Sequence, residues 1–317
     1  MKHLFIIDDI ATFHPQKDTT LALMTAVQER GGEVWGSKLE HLSGRGGVAR
    51  VHATRYTVDT AATPFYKQGE TVTAELEEFD VVWMRKDPPF DLQYVYGTYL
   101  LDLADPKKTL VVNKPQGLRN ANEKAYILNF PDVITDTAIV RTRADIRETV
   151  DEFGGKAVIK PLDQMGGEGI FILRSDDGNF NSIVDAVSRG ETEHVMIQRF
   201  LPAAAEGDKR IILINGRPLG AILRVPQGTD FRGNMAAGGV AIQSEITKRE
   251  HEIIESMAPR LQAEGLYLVG LDVIGEYVTE VNVTSPTGVQ EIDRFDNKKI
   301  GRDIVAWAEE NAPRYNG

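Results

Sequence analysis

The stretch IKPLDQMGGEGIF, Ile159 to Phe171, decides how the whole chain is read. A β-type run ends in Lys160 and Pro161, and then Gly166, Gly167 and Gly169 surround Glu168 before apolar residues resume. Two readings fit these residues: a tight hairpin turn, or a flap that closes on phosphates. Glycine tolerates positive φ and lets backbone approach an anion closely. A short hairpin needs only one or two glycines, so the third exceeds what a plain turn requires. On this segment alone both readings stay open.

Outward from it, strand-like and helix-like segments alternate, the pattern of an α/β architecture. HLFII reads as a buried first strand, and DTTLALMTAVQERGG as a helix with Asp18 as N-cap, Leu21, Met24 and Val27 on one face and Gly31 as its stop. VVWM and TLVVN are further strands, and the first runs into Arg85, Lys86 and two prolines. Open α/β sheets bind ligands at that carboxyl edge, although a solvated loop start fits the same residues. A boundary falls near NKPQGLRNANEK. It is followed by a short helix through Ile127, the strand TAIV, a helix from Arg143 to Phe153, and KAVIKP leading into the glycine segment. No internal repeat or low-complexity segment interrupts the pattern.

Bulk properties narrow the function. A chain of 317 residues accommodates about two domains of ~150 residues and a sizeable core. Thirty-six basic against 47 acidic side chains leave a net charge of −11, which argues against a nucleic-acid groove. With no cysteine, disulfides, thiolate nucleophiles and cysteine-ligated zinc are all excluded. The apolar run in MKHLFIIDDI is too short for a signal peptide, and no run approaches the ~18 residues of a membrane span, so the expected location is cytoplasmic. No P-loop signature is present. GRGGVA at Gly44 precedes a strand pattern, VARVHATRYTV, and reads as a hairpin turn. HEIIES from His251 lacks a second metal-binding histidine, so His251 and Glu252 read as helix surface.

Near the C-terminus, GLDVIGEYVTEVNVTSPTG places Asp272 in one strand, and Glu280 and Asn282 two apart on the next. A period of two puts Glu280 and Asn282 on one face, and two carboxylates with an amide are hard oxygen donors suited to Mg²⁺. A solvent-facing strand face is the alternative. A regular two-residue turn at Gly275 and Glu276 would oppose Asp272 to Thr279 and turn it away from Glu280. Convergence therefore requires an odd-length loop or a single bulge.

Taken together, the glycine flap, NANEK with Lys124, VMIQRFLP, GDKRIILINGRPLGAILRVP, RGNMAAGG and the acidic hairpin resemble the ATP-grasp superfamily and, within it, the bacterial type of glutathione synthetase. DDIATFHPQKDTTLALM and MRKDPPFD extend the likeness over nearly the whole chain. The resemblance implies a Rossmann-like open-sheet substrate domain over 1–119, then an ATP-grasp fold of two α+β subdomains, a lid over 120–200 and a metal-bearing subdomain over 201–317.

It further implies that Lys124 and Lys160 contact ATP phosphates under Gly166 and Gly167. Gln198, Arg199 and Leu201 would lie along the adenine, chiefly through backbone groups, and Asp208 would reach the ribose. Arg210, Arg224 and Arg232 would serve the reacting carboxylate and phosphates, and Asp272, Glu280 and Asn282 would hold Mg²⁺ or Mn²⁺. Asp18, Arg85 and Lys86 would bind the acid substrate. Arg232 lies in PQGTDFRGNMAAGG, a candidate closing loop, for which an ordinary surface loop is the alternative. One departure from the family pattern is Gln290, where an arginine is expected.

The implied reaction joins γ-glutamylcysteine to glycine with ATP through an acyl phosphate, without nucleic acid or membrane, in a homo-oligomer. Such phosphoryl transfer runs on positioning and charge neutralisation and needs no protein nucleophile. Two rivals share most of these residues. One is another ATP-grasp ligase, joining D-alanine pairs or adding glutamate; the other is a nucleotide-binding regulator without turnover.

Overall fold

The computed structural model describes residues 1–227, 233 and 238–314. Its strands form three sheets that follow one another along the chain.

The first contains β1 (Lys2–Ile6), β2 (Glu33–Ser37), β3 (Leu42–Arg45), β4 (Val48–Val58), β5 (Tyr66–Glu75), β6 (Val81–Met84) and β7 (Leu110–Val112). β2, β1, β6 and β7 lie side by side and parallel. β6 is buried along its whole length, as a parallel strand covered on both faces must be. β4 joins antiparallel to β2, β3 and β5. The GRGGVA segment makes the expected hairpin, with Gly46 and Gly47 between β3 and β4 at positive φ. The helix α1 (Thr19–Glu29) starts at Asp18, whose carboxylate accepts from the amides of Thr20 and Leu21. α2 (Leu92–Leu101) and α3 (Pro115–Asn120) complete this region.

The second sheet, ordered β10-β9-β11-β8, contains β8 (Thr137–Val140), β9 (Lys156–Pro161), β10 (Phe171–Arg174) and β11 (Val195–Arg199), with α4 (Arg143–Glu152) and α5 (Phe180–Val187). IKPLDQMGGEGIF is the connection from β9 to antiparallel β10, and Gly166, Gly167 and Gly169 all adopt positive φ there.

The third sheet contains β12 (Asp208–Ile214), β13 (Arg217–Val225), β14 (Val240–Ser244), β15 (Leu268–Ile274) and β16 (Tyr277–Asn282) in the order β14-β13-β12-β15-β16. α6 (Lys248–Ala263), α7 (Val289–Asp296) and α8 (Ile300–Asn311) pack with it. His251 and Glu252 are exposed on α6, as read from the sequence.

The β15–β16 hairpin meets the convergence requirement by a bulge. Ile274 opposes Tyr277 across the two-residue turn, but a register shift at Thr279 makes Asp272 oppose Glu280 and Gly270 oppose Asn282. The bulge sits one turn of pairing away from Gly275, which only supplies the positive φ of the turn itself.

The first and third sheets share their cores. One cluster joins Leu4, Trp35 and Val82 to Val269, Leu271 and Val281. Another joins Phe5, Leu21 and Met24 to Ile212, Ile304 and Ala308. The second sheet packs one face against its own helices, with Ile146, Ile159, Leu173, Phe180 and Ile197 at the centre, while Met196 of β11 joins the first shared cluster. Among the described residues no helix is long and apolar enough to cross a membrane.

Candidate active site

Two adjoining cavities open where the three sheets meet. The first, of about 800 Å³, lies between the second and third sheets. β9 contributes Lys160, the glycine connection Gly166 and Gly167, the end of β11 Gln198, Arg199 and Leu201, and the third sheet Asp208 and Glu280; Lys124 closes one wall. The second, of about 840 Å³, is lined by Arg210, Arg224, Glu280 and Asn282, and on its other side by Asp87, Pro88 and Glu123. Gly166 and Glu280 line both, so the two cavities communicate at Glu280.

Strand pairing and hydrogen bonds fix the cations of the first cavity. Lys160 donates to Gln198 Oε1 at 2.8 Å, and the Gln198 amide donates onward to Thr137. Burial lowers the Lys160 ammonium below the ordinary lysine value, with Glu280 opposing that fall and Lys124 adding to it. Lys124 Nζ lies 3.2 Å from Glu280 and donates to the carbonyl of Gln164 inside the glycine connection. The Arg199 guanidinium turns away to Asp136, which leaves its backbone at the cleft.

Beneath the second cavity lies a buried charge lattice. Arg210 makes two hydrogen bonds to Asp272, and Arg224 bridges Asp272 at 2.9 Å and Asp208 at 2.5 Å. Burial alone would raise the Asp272 carboxyl, but Arg210 and Arg224 outweigh it and hold the group far below the usual carboxylate range. Asp208 is pushed up to about 7, by burial first and then by Asp272, against the pull of Arg224. The two opposed shifts reflect the same arrangement: two buried carboxylates share Arg224, and the one that also holds Arg210 keeps its charge at the other's expense. Gly270 makes room for this arrangement, since an added Cβ would stand 3.0 Å from Arg210 Cδ and 2.9 Å from Pro286.

The metal candidates divide. Asp272 is 1% exposed and occupied by two arginines, whereas Glu280 and Asn282 line the cavity. The Asn282 amide nitrogen donates to the carbonyl of Gly270, which leaves its oxygen as the atom free to meet a cation. Among the described residues no three His, Cys, Asp or Glu side chains converge on one point, but a carboxylate and an amide oxygen beside the cleft fit a hard divalent ion shared with phosphate oxygens.

The proposed acid-binding residues lie elsewhere. Asp18 caps α1 and lines neither cavity. Arg85 is 3% exposed, donating to Thr20 and to the carbonyl of Pro286. Lys86 pairs with Asp8 at 2.9 Å and faces a separate groove beside α2. Arg232 and most of the candidate closing loop lie outside the described residues. Sequence reasoning missed Glu123, the residue immediately before Lys124 in NANEK, although it lines the second cavity.

This fold and this cleft define an ATP-dependent carboxylate–amine ligase of the ATP-grasp type. The model of the prokaryotic glutathione synthetase N-terminal domain matches residues 1–119, and that of the prokaryotic glutathione synthetase ATP-grasp domain matches residues 123–297. The chain is 48% identical over 318 residues to the glutathione synthetase of Synechococcus elongatus, covering 98% of each. It is 47% identical to that of Thermosynechococcus vestitus, over 96% of this chain and 98% of the relative. Among solved structures, the D-cycloserine synthetase DcsG superposes with a TM-score of 0.67 at 15% identity, over 98% of this chain and 99% of that one. The ATP-grasp ligase PsnB, complexed with minimal precursor, Mg and ADP, superposes with a TM-score of 0.61 at 14% identity, over 99% and 98%; both likenesses concern the fold. The chain belongs to the prokaryotic glutathione synthetase family, and its activity is ATP-dependent glutathione synthesis.

Proposed function

We propose that the two cavities divide the reaction, the first holding ATP and the second the acid and amine, with chemistry at their junction beside Glu280. The observation that carries this reading is the shared wall: the cationic cleft and the arginine-lined cavity meet at one carboxylate. Lys124 and Lys160 neutralise the nucleotide phosphates, and Gly166 and Gly167 bring backbone N–H groups over them. Gln198, Arg199 and Leu201 border the base, and the Asp208 oxygen that lacks a partner among the described residues accepts from the ribose.

Arg210 and Arg224, held rigid by Asp272, orient the cysteinyl carboxylate of γ-glutamylcysteine for attack on the γ-phosphorus. ADP leaves as the acyl phosphate forms; the glycine nitrogen, having given up a proton, then attacks the acyl carbon, and the C–O bond to phosphate breaks as the amide forms. Glu280 and Asn282 would hold Mg²⁺ or Mn²⁺, with Asp272 at their back. Such an ion screens the phosphate charges when bound. Arg232, outside the described residues, is taken as a further cation for the reacting groups. Asp18 and Arg85 act through the segment after β16: Arg85 holds Pro286 in the loop, and the Asp18 carbonyl accepts from Gln290 at the start of α7. Lys86 guides the anionic acid toward the cavity mouth. We further take residues 1–119, 120–200 and 201–317 as the working domains, and the enzyme as a cytoplasmic homo-oligomer.

Measuring ADP release with γ-glutamylcysteine, glycine and Mg²⁺ tests the assignment. Release is expected only with the complete set. Release with D-alanine pairs or glutamate in its place, or none with the complete set, overturns it.

A further inference from the structure

The second cavity contains a carboxylate that the reaction above leaves without a task. Glu123 lies on the segment linking α3 to the middle sheet, and its backbone carbonyl accepts from the amide of Val281 on β16. One side-chain oxygen, Oε1, accepts three hydrogen bonds: from the amides of Val283 and Thr284 at 2.8 and 2.9 Å, and from the Thr284 hydroxyl at 2.8 Å. Three donors on one oxygen fix the plane of the carboxyl group. The other oxygen has no hydrogen-bond partner among the described residues.

Charge bookkeeping sets Glu123 apart from its neighbours. Asp272 is neutralised by Arg210 and Arg224, and Glu280 by Lys124. Glu123 is in no ion pair among the described residues. Asp87, the other unpaired acid on this wall, is exposed and solvated. The cavity is therefore lined by two arginines and by one oriented carboxylate that makes no ion pair among the described residues, its nearest unshared cation being the buried Arg85 behind it. A partly buried charge of that kind is costly until a cation meets it.

We propose that Glu123 is the recognition site for the ammonium group of the acceptor amino acid, holding glycine beside the activated carboxyl group. This rests on the glutathione assignment above. A zwitterion needs an anion to receive its ammonium, and of the two amino groups in the substrate pair only the acceptor's must reach the junction at Glu280. The γ-glutamyl amino group lies at the far end of the donor. Burial, and next the charge of Glu280, push the Glu123 carboxyl above its ordinary value; an arriving cation relieves both.

The test is Glu123→Gln, whose amide oxygen can still accept from Val283 and Thr284 while the charge is removed. With glycine, KM is expected to rise about tenfold or more, the scale of a lost charge-assisted hydrogen bond. KM for ATP and for γ-glutamylcysteine should stay within about twofold. Hydroxylamine, largely uncharged at neutral pH, is the second nucleophile, and hydroxamate formation by the variant should match wild type. Glu123→Asp keeps the charge and should recover part of the glycine affinity. An unchanged KM for glycine overturns the proposal. So does a joint loss of glycine and hydroxylamine reactions, a rise confined to γ-glutamylcysteine, or equal behaviour of the Asp and Gln variants. Should wild type make no glutathione, the parent assignment fails instead, and hydroxamate formation shows that separately.

Discussion

The middle sheet and the two outer sheets bury their apolar surface in different ways. β8 to β11 with α4 and α5 close a core from residues within 146–197 alone. The first and third sheets cannot do this, because both supply residues to two common clusters. Their joint is also polar. Asn113, at the end of β7, accepts from the amides of Tyr267 and Leu268, both at 2.7 Å, and donates to the carbonyls of Leu268 and Val283. Farther along, His3 on β1 accepts from Trp83 and faces Glu309 of α8 at 3.3 Å, while Arg30 holds the same carboxylate. The outer sheets thus form one body that carries Arg210, Arg224, Glu280 and Asn282. The middle sheet is a separate unit that carries Lys160 and the glycine connection. The cleft lies between two parts whose main cores are separate and which meet through Met196, an arrangement in which one part can shift without unfolding the other.

The sharpest way to break this comparison is at Asn113. Asn113→Leu strands two buried amides and two carbonyls, and should destabilise the body by about 3–5 kcal/mol. Denaturant unfolding monitored by hydrogen exchange should show the first and third sheets losing protection together, with the middle sheet unchanged. Loss confined to the first sheet would contradict a shared body.

A change on the other side of the cleft should have the reverse profile. Lys160→Ala is expected to weaken ATP binding by about 1.5–3 kcal/mol, or roughly 10- to 100-fold, because a charged hydrogen-bond donor leaves a partly dehydrated site. Titration calorimetry reads the affinity, and the body's melting should not move. Unchanged affinity would return the Ile159–Phe171 segment to a structural turn.

The smallest effect concerns pH. The Asp208 carboxyl, ordinarily at 3.8, is raised to about 7 in the folded state. The folded protein therefore holds this proton more tightly than the unfolded chain. The associated stability is full below the unfolded value and is lost as pH rises through about 7. Asp208→Asn removes that dependence. It should stabilise the free enzyme by about 1–2 kcal/mol near pH 8 and by nothing measurable near pH 4, read from thermal melts at both. A gain that is the same at both would assign the effect to packing.

Much of this was legible in the chain because it depends on local rules. Buried strands such as VVWM are apolar runs, Asp18 sits where a helix needs a cap, and Lys160 and the glycines announce themselves by violating a plain turn. Parity told that Asp272 and Glu280 could meet only through an odd loop or bulge, and the shift at Thr279 supplied it. What stayed hidden depends on contacts between distant segments. Asp18 and Arg85 stand on suitable elements, yet their side chains are taken up by α1 and by the loop at Pro286. Glu123 looked like the neighbour of a lysine until Val283 and Thr284, 160 and 161 residues away, were found holding it. No periodicity reveals that two sheets share one core.

That shared core also sets an order in time. A chain leaves the ribosome N-terminus first, so β1 and α1 emerge long before Ile304 and Ala308, which cover Phe5 and Met24. The middle sheet's main core lies within its own stretch of chain and can close while the earlier segment still waits. The first third of the protein to be made is therefore among the last to be finished, and in that interval its apolar face is open to chaperones. Protease pulses on stalled nascent chains would register this as protection of the middle sheet before the first; the opposite order would mean that the N-terminal sheet stands without its partner.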